Sequence, residues 1–118
     1  LLMLFDQPGH IRAYKMVAAD GKSTINNNKI EYKIGSFVSV QNANTNETVQ
    51  CGAGVNVATM DWCLRELEPG CRILIVEFLA ADIAAIPTAT DGKFRLHRCT
   101  VVGEVDLRAI GWLKKEQP

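Results

Sequence analysis

Residues 72–79 read Arg-Ile-Leu-Ile-Val-Glu-Phe-Leu, so in an extended chain Ile73 and Ile75 fall on one side while Leu74, Val76 and Phe78 fall on the other. A strand that is apolar on both sides must be covered on both faces, which places it in the middle of a sheet and not at its edge. Other segments then have to supply neighbouring strands and a covering layer. A chain of 118 residues, 47% apolar, furnishes one such core and not two, so one domain over 1–118 is expected.

The neighbours are legible by alternation. Ile11, Ala13 and Lys15 alternate with Arg12, Tyr14 and Met16, which predicts a strand over 11–17 closed by the turn signal Asp20-Gly21. After the polar loop 23–28, residues 29–34 read as a short strand before Gly35, and Phe37 to Val40 as another. Val49 to Val57 carries Gly52 and Gly54, which suit a bent strand or a turn. Thr59 supplies a helix cap, Asp61 suits the first turn, and Met60, Cys63, Leu64 and Leu67 make one apolar stripe before Pro69-Gly70, predicting a helix over about 59–68. Ala80 to Ile86 reads as one helical turn ended by Pro87. Asp91-Gly92 turns the chain into a strand from Phe94 to Leu107, with a kink or bulge at Gly103. The expectation is an α+β domain: a twisted, mainly antiparallel sheet with one main helix (about 59–68) packed on it and a short C-terminal helix or tail over 108–118.

Charge and spacing narrow the function by exclusion. Thirteen Lys plus Arg balance thirteen Asp plus Glu, so the broad positive field of a non-specific nucleic-acid binder is missing. No apolar run approaches the ~20 residues that span a bilayer, and Leu1 to Phe5 meets Asp6 without a basic flank, so no membrane association and a cytoplasmic location are expected. Cys51, Cys63, Cys71 and Cys99 form no CxxC pair and read as free thiols, with no metal. Cys51-Gly52-Ala53-Gly54 lacks both the further glycine and the lysine of a phosphate cradle, so no cofactor is expected. Only His10 and His97 are present, neither in a nucleophile motif, which favours a non-catalytic protein.

A few polar residues stand out as site candidates. Lys93, Arg95 and His97 share one face of a predicted strand, with Arg98 adding charge opposite, and would hold an anion or a nucleic-acid phosphate, the alternative being a solvated sheet face. Glu77 interrupts the central apolar strand, so it either pairs with a base such as Arg12 or Lys15 or opens into a cleft. In a cleft it would join Tyr14 and Asn56, from two other segments, as a ligand-binding group. Trp62, off the helix stripe, contacts a partner or covers a loop. The apolar ends, Leu1 to Phe5 and Ile110 to Leu113, need covering and suggest homo-oligomer formation.

Several islands resemble a small uncharacterised domain of bacteriophage and bacterial proteins. They are Tyr14-Lys15, Tyr32-Lys33-Ile34-Gly35, Cys51-Gly52-Ala53-Gly54-Val55-Asn56, Val76-Glu77, and Thr100-Val101-Val102-Gly103-Glu104-Val105. The domain's pattern runs Tyr-x-x-Gly, Cys-x-x-Gly-apolar-His, a helix, then a Val-Glu strand, and Asn56 stands here at the histidine position. The resemblance implies a phage or mobile-element origin and no reaction, and loss of the histidine removes the one obvious proton-transfer group. The element order is also similar to that of the ADP-ribosyltransferase fold, which binds a nicotinamide dinucleotide between sheets. The function expected is therefore a binding or accessory protein. The alternatives are a diverged nucleotide-binding or ADP-ribosyl-transferring enzyme using Tyr14, Asn56 and Glu77, and a self-associating structural subunit.

Overall fold

The both-sided strand does sit inside a sheet. A computed structural model describes residues 10–22, 31–40, 43, 45, 54–86 and 92–109. In chain order it contains β1 (Ile11–Val17), β2 (Phe37–Ser39), β3 (Val55–Ala58), helix α1 (Met60–Arg65), β4 (Arg72–Phe78), a 3₁₀ turn (Ala80–Asp82), β5 (Ile83–Ala85), β6 (Lys93–Leu96) and β7 (Arg98–Glu104). The seven strands of the described residues belong to one sheet, ordered β2-β7-β4-β1-β3-β6-β5, and their pairings are all antiparallel. β4 lies between β1 and β7, with Ile11↔Phe78 through Val17↔Arg72 in unbroken register on one side.

The connection between β6 and β7 bends the sheet. These strands stand sixth and second in the order, yet only His97 separates them in sequence. The two ends of the sheet must therefore approach one another, and the His97 backbone ties them. Its N–H donates to the Asp82 carbonyl at 2.6 Å beside β5, while its carbonyl accepts from Val40 N–H at 2.9 Å just after β2. The sheet curls round an interior filled by Ile11, Ala13, Val17, Leu74, Val76, Phe78, Phe94, Leu96 and Val101, with Tyr32 and Val38 also buried there. Across that interior the Phe78 and Phe94 rings meet at 5.8 Å between centroids, tilted by 60°, although β1 and β3 separate their strands in the sheet. The outer face carries a second apolar layer, in which Tyr14, Met16, Ala58, Ile73 and Leu107 pack with Met60, Cys63 and Leu64 of the helix.

Two features of the sheet repay attention to register. β1 and β3 pair only at Tyr14↔Ala58. Where they part, the buried Lys15 ammonium donates to the Asn56 carbonyl at 2.6 Å and lies 5.2 Å from the centre of the Tyr32 ring, so a side chain answers a backbone acceptor away from the ladder. Between β4 and β7, Ile75↔Gly103 is followed by Val76↔Val101, leaving Val102 as an extra residue. The irregularity expected at Gly103 is thus a β-bulge.

Some expectations need correcting. The helix over about 59–68 is only six residues long, so among the described residues the domain is mostly antiparallel sheet with very little helix. Its start is as read, with Thr59 Oγ1 accepting from Trp62 N–H at 3.4 Å. It stops at Glu66 because Pro69 pushes Glu68 out of the helical region and offers no N–H to Arg65; Leu67 keeps its place in the outer layer without helical bonds. The helical turn predicted over 80–86 is a 3₁₀ turn followed by strand β5. The strand predicted over 29–34 is, among the described residues, only the isolated bridge Lys22↔Glu31, and residues 94–107 form two strands broken at His97. Among the described residues no helix is long and apolar enough to cross a membrane. Leu1 to Phe5, Cys51, and the C-terminal segment from Ile110 onward lie outside the described residues.

Candidate functional site

Antiparallel register decides which polar side chains share a face. Arg12 stands directly opposite Glu77, and Tyr14 opposite both Ile75 and Ala58, so Arg12, Tyr14, Glu77 and, two residues from Ala58, Asn56 all belong to the outer face. The three ligand candidates divide between two places on it. Tyr14 and Asn56 line one crevice with Trp62 and Lys93, a space of about 10 Å³ that holds no more than a water molecule. Asn56 itself is buried, its side-chain amide donating to the Gly54 carbonyl at 3.4 Å. Glu77 is elsewhere, beside a hollow of about 170 Å³ at one end of the curled sheet.

That hollow is formed where β1 begins, β4 ends and β2 and β7 run side by side, and Phe37, Leu79 and Thr100 line it together with His10, Glu77 and Asp82. Glu77 meets Arg12, not Lys15, because the period-two alternation sends Lys15 into the interior while Arg12 faces out. Each of its oxygens is engaged: Oε1 accepts from His10 Nδ1 at 2.7 Å, and Oε2 from Arg12 Nε at 3.0 Å. The His10 hydrogen bond, and then that of Arg12, holds the Glu77 carboxyl below the usual glutamate range. Asp82 is similarly engaged, with Oδ2 accepting from Leu79 N–H at 3.0 Å and Oδ1 from Arg98 Nη1 at 2.9 Å. Phe37 is 63% exposed and Leu79 46%, so the hollow has an apolar rim open to solvent.

The cationic candidates do not make an open strip. Lys93 and Arg95 lie on the outer face opposite Ala58 and Asn56, but Arg95 is fully buried and the Lys93 ammonium stands 5.5 Å from the centre of the half-buried Trp62 ring. His97 sits at the bend and not in β6. Trp62 covers its own neighbours and packs into the outer layer.

The opposite end of the sheet is a second place to consider. A broader hollow of about 410 Å³ lies there beside Cys71, Arg72, Glu104, Leu107 and Arg108. Arg72, Glu104 and Asp106 are engaged locally, whereas the guanidinium of the exposed Arg108 has no acceptor among the described residues. Arg72 forks onto Glu104 through Nε at 3.1 Å and Nη2 at 2.7 Å and reaches the Ala19 carbonyl through Nη1 at 3.4 Å. Asp106 Oδ1 caps the following turn, accepting from the Arg108 and Ala109 N–H groups, each at 3.1 Å. Among the described residues no group of three or more metal-ligating side chains is brought together.

Sequence reasoning missed Phe37, Leu79 and Asp82 as site residues, and marked Arg98 as a cation without its partner Asp82. The Asp82 role had a local signal, a carboxylate three residues after Leu79 where a short turn leaves an N–H to be capped. The exposure of Phe37 had none, since an aromatic residue in a β-branched run looks the same at an edge as in a core.

Fold and site together define a small, curled antiparallel sheet domain with an apolar, ion-paired hollow at one end. Comparison with protein-family models, with curated proteins and with solved structures finds no match for the chain.

Proposed function

We propose that the protein is a non-catalytic binding or accessory domain of phage or mobile-element origin, and that it binds through the hollow beside Phe37. The observation that carries the reading is the state of the two carboxylates there. With both oxygens of Glu77 and of Asp82 held by bases or a backbone amide, neither is poised to take or give a proton, whereas the exposed Phe37 and Leu79 side chains and the arginines beside them are the residue types that bind partners. The resemblance of the sequence islands to a phage-associated domain supports the origin. The nucleotide-binding alternative finds less support, because Tyr14 and Asn56 face a crevice of about 10 Å³ and Glu77 a different hollow.

A pair of melting experiments tests this. Phe37→Ser is expected to leave the melting temperature unchanged, since an exposed ring does little for the fold, and a clear fall would mark Phe37 as structural. Nucleotides and nicotinamide dinucleotides are expected to leave it unchanged as well. A rise with a dinucleotide, abolished in Asn56→Ala, would instead favour the nucleotide-binding reading.

A further inference from the structure

The ion pairs at the two ends of the sheet differ in which partner faces water. At the Phe37 end the side chains of His10 and Arg12 are 64% and 59% exposed against 22% for Glu77, and Arg98 is 49% exposed against 12% for Asp82. At the far end Arg72 and Glu104 are equally exposed, at 34% each. The carboxylates of the Phe37 end therefore lie beneath their bases, and the surface offered to a partner is basic although the pairs are formally balanced.

The arginines there also have donors to spare. Arg12 gives one N–H to Glu77 and Arg98 one to Asp82, so among the described residues the rest of each guanidinium has no protein acceptor, whereas Arg72 spends three nitrogens on Glu104 and Ala19. Guanidinium groups in this state take carboxylates with paired, directional hydrogen bonds. Glu77 and Asp82, which these arginines hold, line the hollow of about 170 Å³ with its Phe37 and Leu79 rim, smaller than the ~300 Å³ at which small-molecule pockets begin, and so suited to a single apolar side chain.

Resting on the reading of this end as the binding surface, we infer that the hollow takes an acidic peptide segment of a partner protein, with one large apolar side chain seated between Phe37 and Leu79 and flanking carboxylates held by Arg12 and Arg98. Three features select this occupant together. The basic exposure calls for negative charge, the apolar rim for a hydrophobic anchor, and the small volume for one side chain carried on an extended backbone.

Fluorescence anisotropy with labelled Asp-Glu-Leu-Glu-Asp tests the assignment, against Asn-Gln-Leu-Gln-Asn, Lys-Lys-Leu-Lys-Lys and a single-stranded oligothymidylate. The acidic peptide is expected to bind at least about tenfold more tightly than the neutral one, a difference of about 1.4 kcal/mol, and to weaken as salt is added. Arg12→Gln combined with Arg98→Gln should abolish that preference and Phe37→Ser should lower the affinity for both peptides, with Arg72→Gln changing neither. Melting curves of each variant confirm that it is folded. Equal binding of acidic and neutral peptides, tighter binding of the oligonucleotide, or no binding of the acidic peptide overturns the inference. If the neutral peptide binds through Phe37 while charge makes no difference, the binding surface stands and only its acidic specificity fails.

Discussion

The two ends of the curled sheet are built from the same strands and the same kinds of residue, yet the ion pair at one is closed on itself while those at the other, the open end, keep arginine donors to spare. Where β1 ends and β4 begins, Arg72 and Glu104 satisfy each other through two parallel hydrogen bonds, and Asp106 is consumed by its own turn. Where β1 begins and β4 ends, each arginine makes a single contact, the acids lie beneath, and Phe37 and Leu79 are left in water. The number of ion pairs at an end therefore says little about its function. What distinguishes the ends is how much hydrogen-bonding capacity and apolar surface remain after the fold has taken its share.

The comparison is easiest to break with one truncation made at two places. Leu74, fully buried in the interior, should cost about 2 to 5 kcal/mol when cut to alanine, while Leu79→Ala at the open end should change stability by no more than about 0.5 kcal/mol. Urea unfolding of both variants measures the contrast, and a large loss at Leu79 would make the open end part of the core. A smaller effect separates the arginines. Arg72→Ala should lower stability by up to about 1 kcal/mol, as losing a half-exposed forked pair does, and Arg12→Ala should lower the unfolding midpoint by less, since His10 still holds Glu77.

Acid is expected to weaken both ends together. Glu104 is held below the ordinary glutamate range by its Arg72 hydrogen bonds, as Glu77 is by His10 and Arg12. A carboxyl whose folded pKa is depressed contributes stability that is fully present above the unfolded value, about 4.3, and is lost as pH falls from there through the folded value. Melting temperatures taken from pH 7 downward should therefore fall below about pH 4.3, with a shallower acid limb in Glu104→Gln and Glu77→Gln. An unchanged limb in both variants would show that these pairs contribute nothing to the fold. The smallest effect concerns the thiols. Burial pushes Cys63 and Cys99 up to about 12, so iodoacetamide at neutral pH should modify the partly exposed Cys71 well before either of them. Early modification of Cys99 would mean that the interior beside the open end is loose.

How much of this was legible in the sequence varied with the physical signal behind it. β4 and β1 could be read because alternation over seven residues leaves few other structures, and with them the possibility that Glu77 meets Arg12. The start of α1 was readable from Thr59 and Asp61, but its end was not, because Leu67 keeps the apolar period by packing after the helical hydrogen bonds have stopped. β5, three residues with two alanines, has no strand signal of its own and exists because β6 offers it an edge. His97 was hidden for a related reason. Its break in the strand serves the closure of the sheet, and the bonds that fix it come from Asp82 and Val40, distant in sequence. The hollow inherits that illegibility, since Asp82 and Arg98 meet only once the sheet has curled.

The claim that the open end is where this protein binds can be tested residue by residue. Titrating Asp-Glu-Leu-Glu-Asp into isotopically labelled protein while following backbone amide shifts reports both ends in one experiment. The amides of Phe37, Glu77 to Asp82 and Arg98 to Thr100 are expected to move while those of Cys71, Arg72 and Glu104 to Arg108 stay in place. Shifts confined to the Arg72 end, or spread evenly over both ends, would contradict that claim.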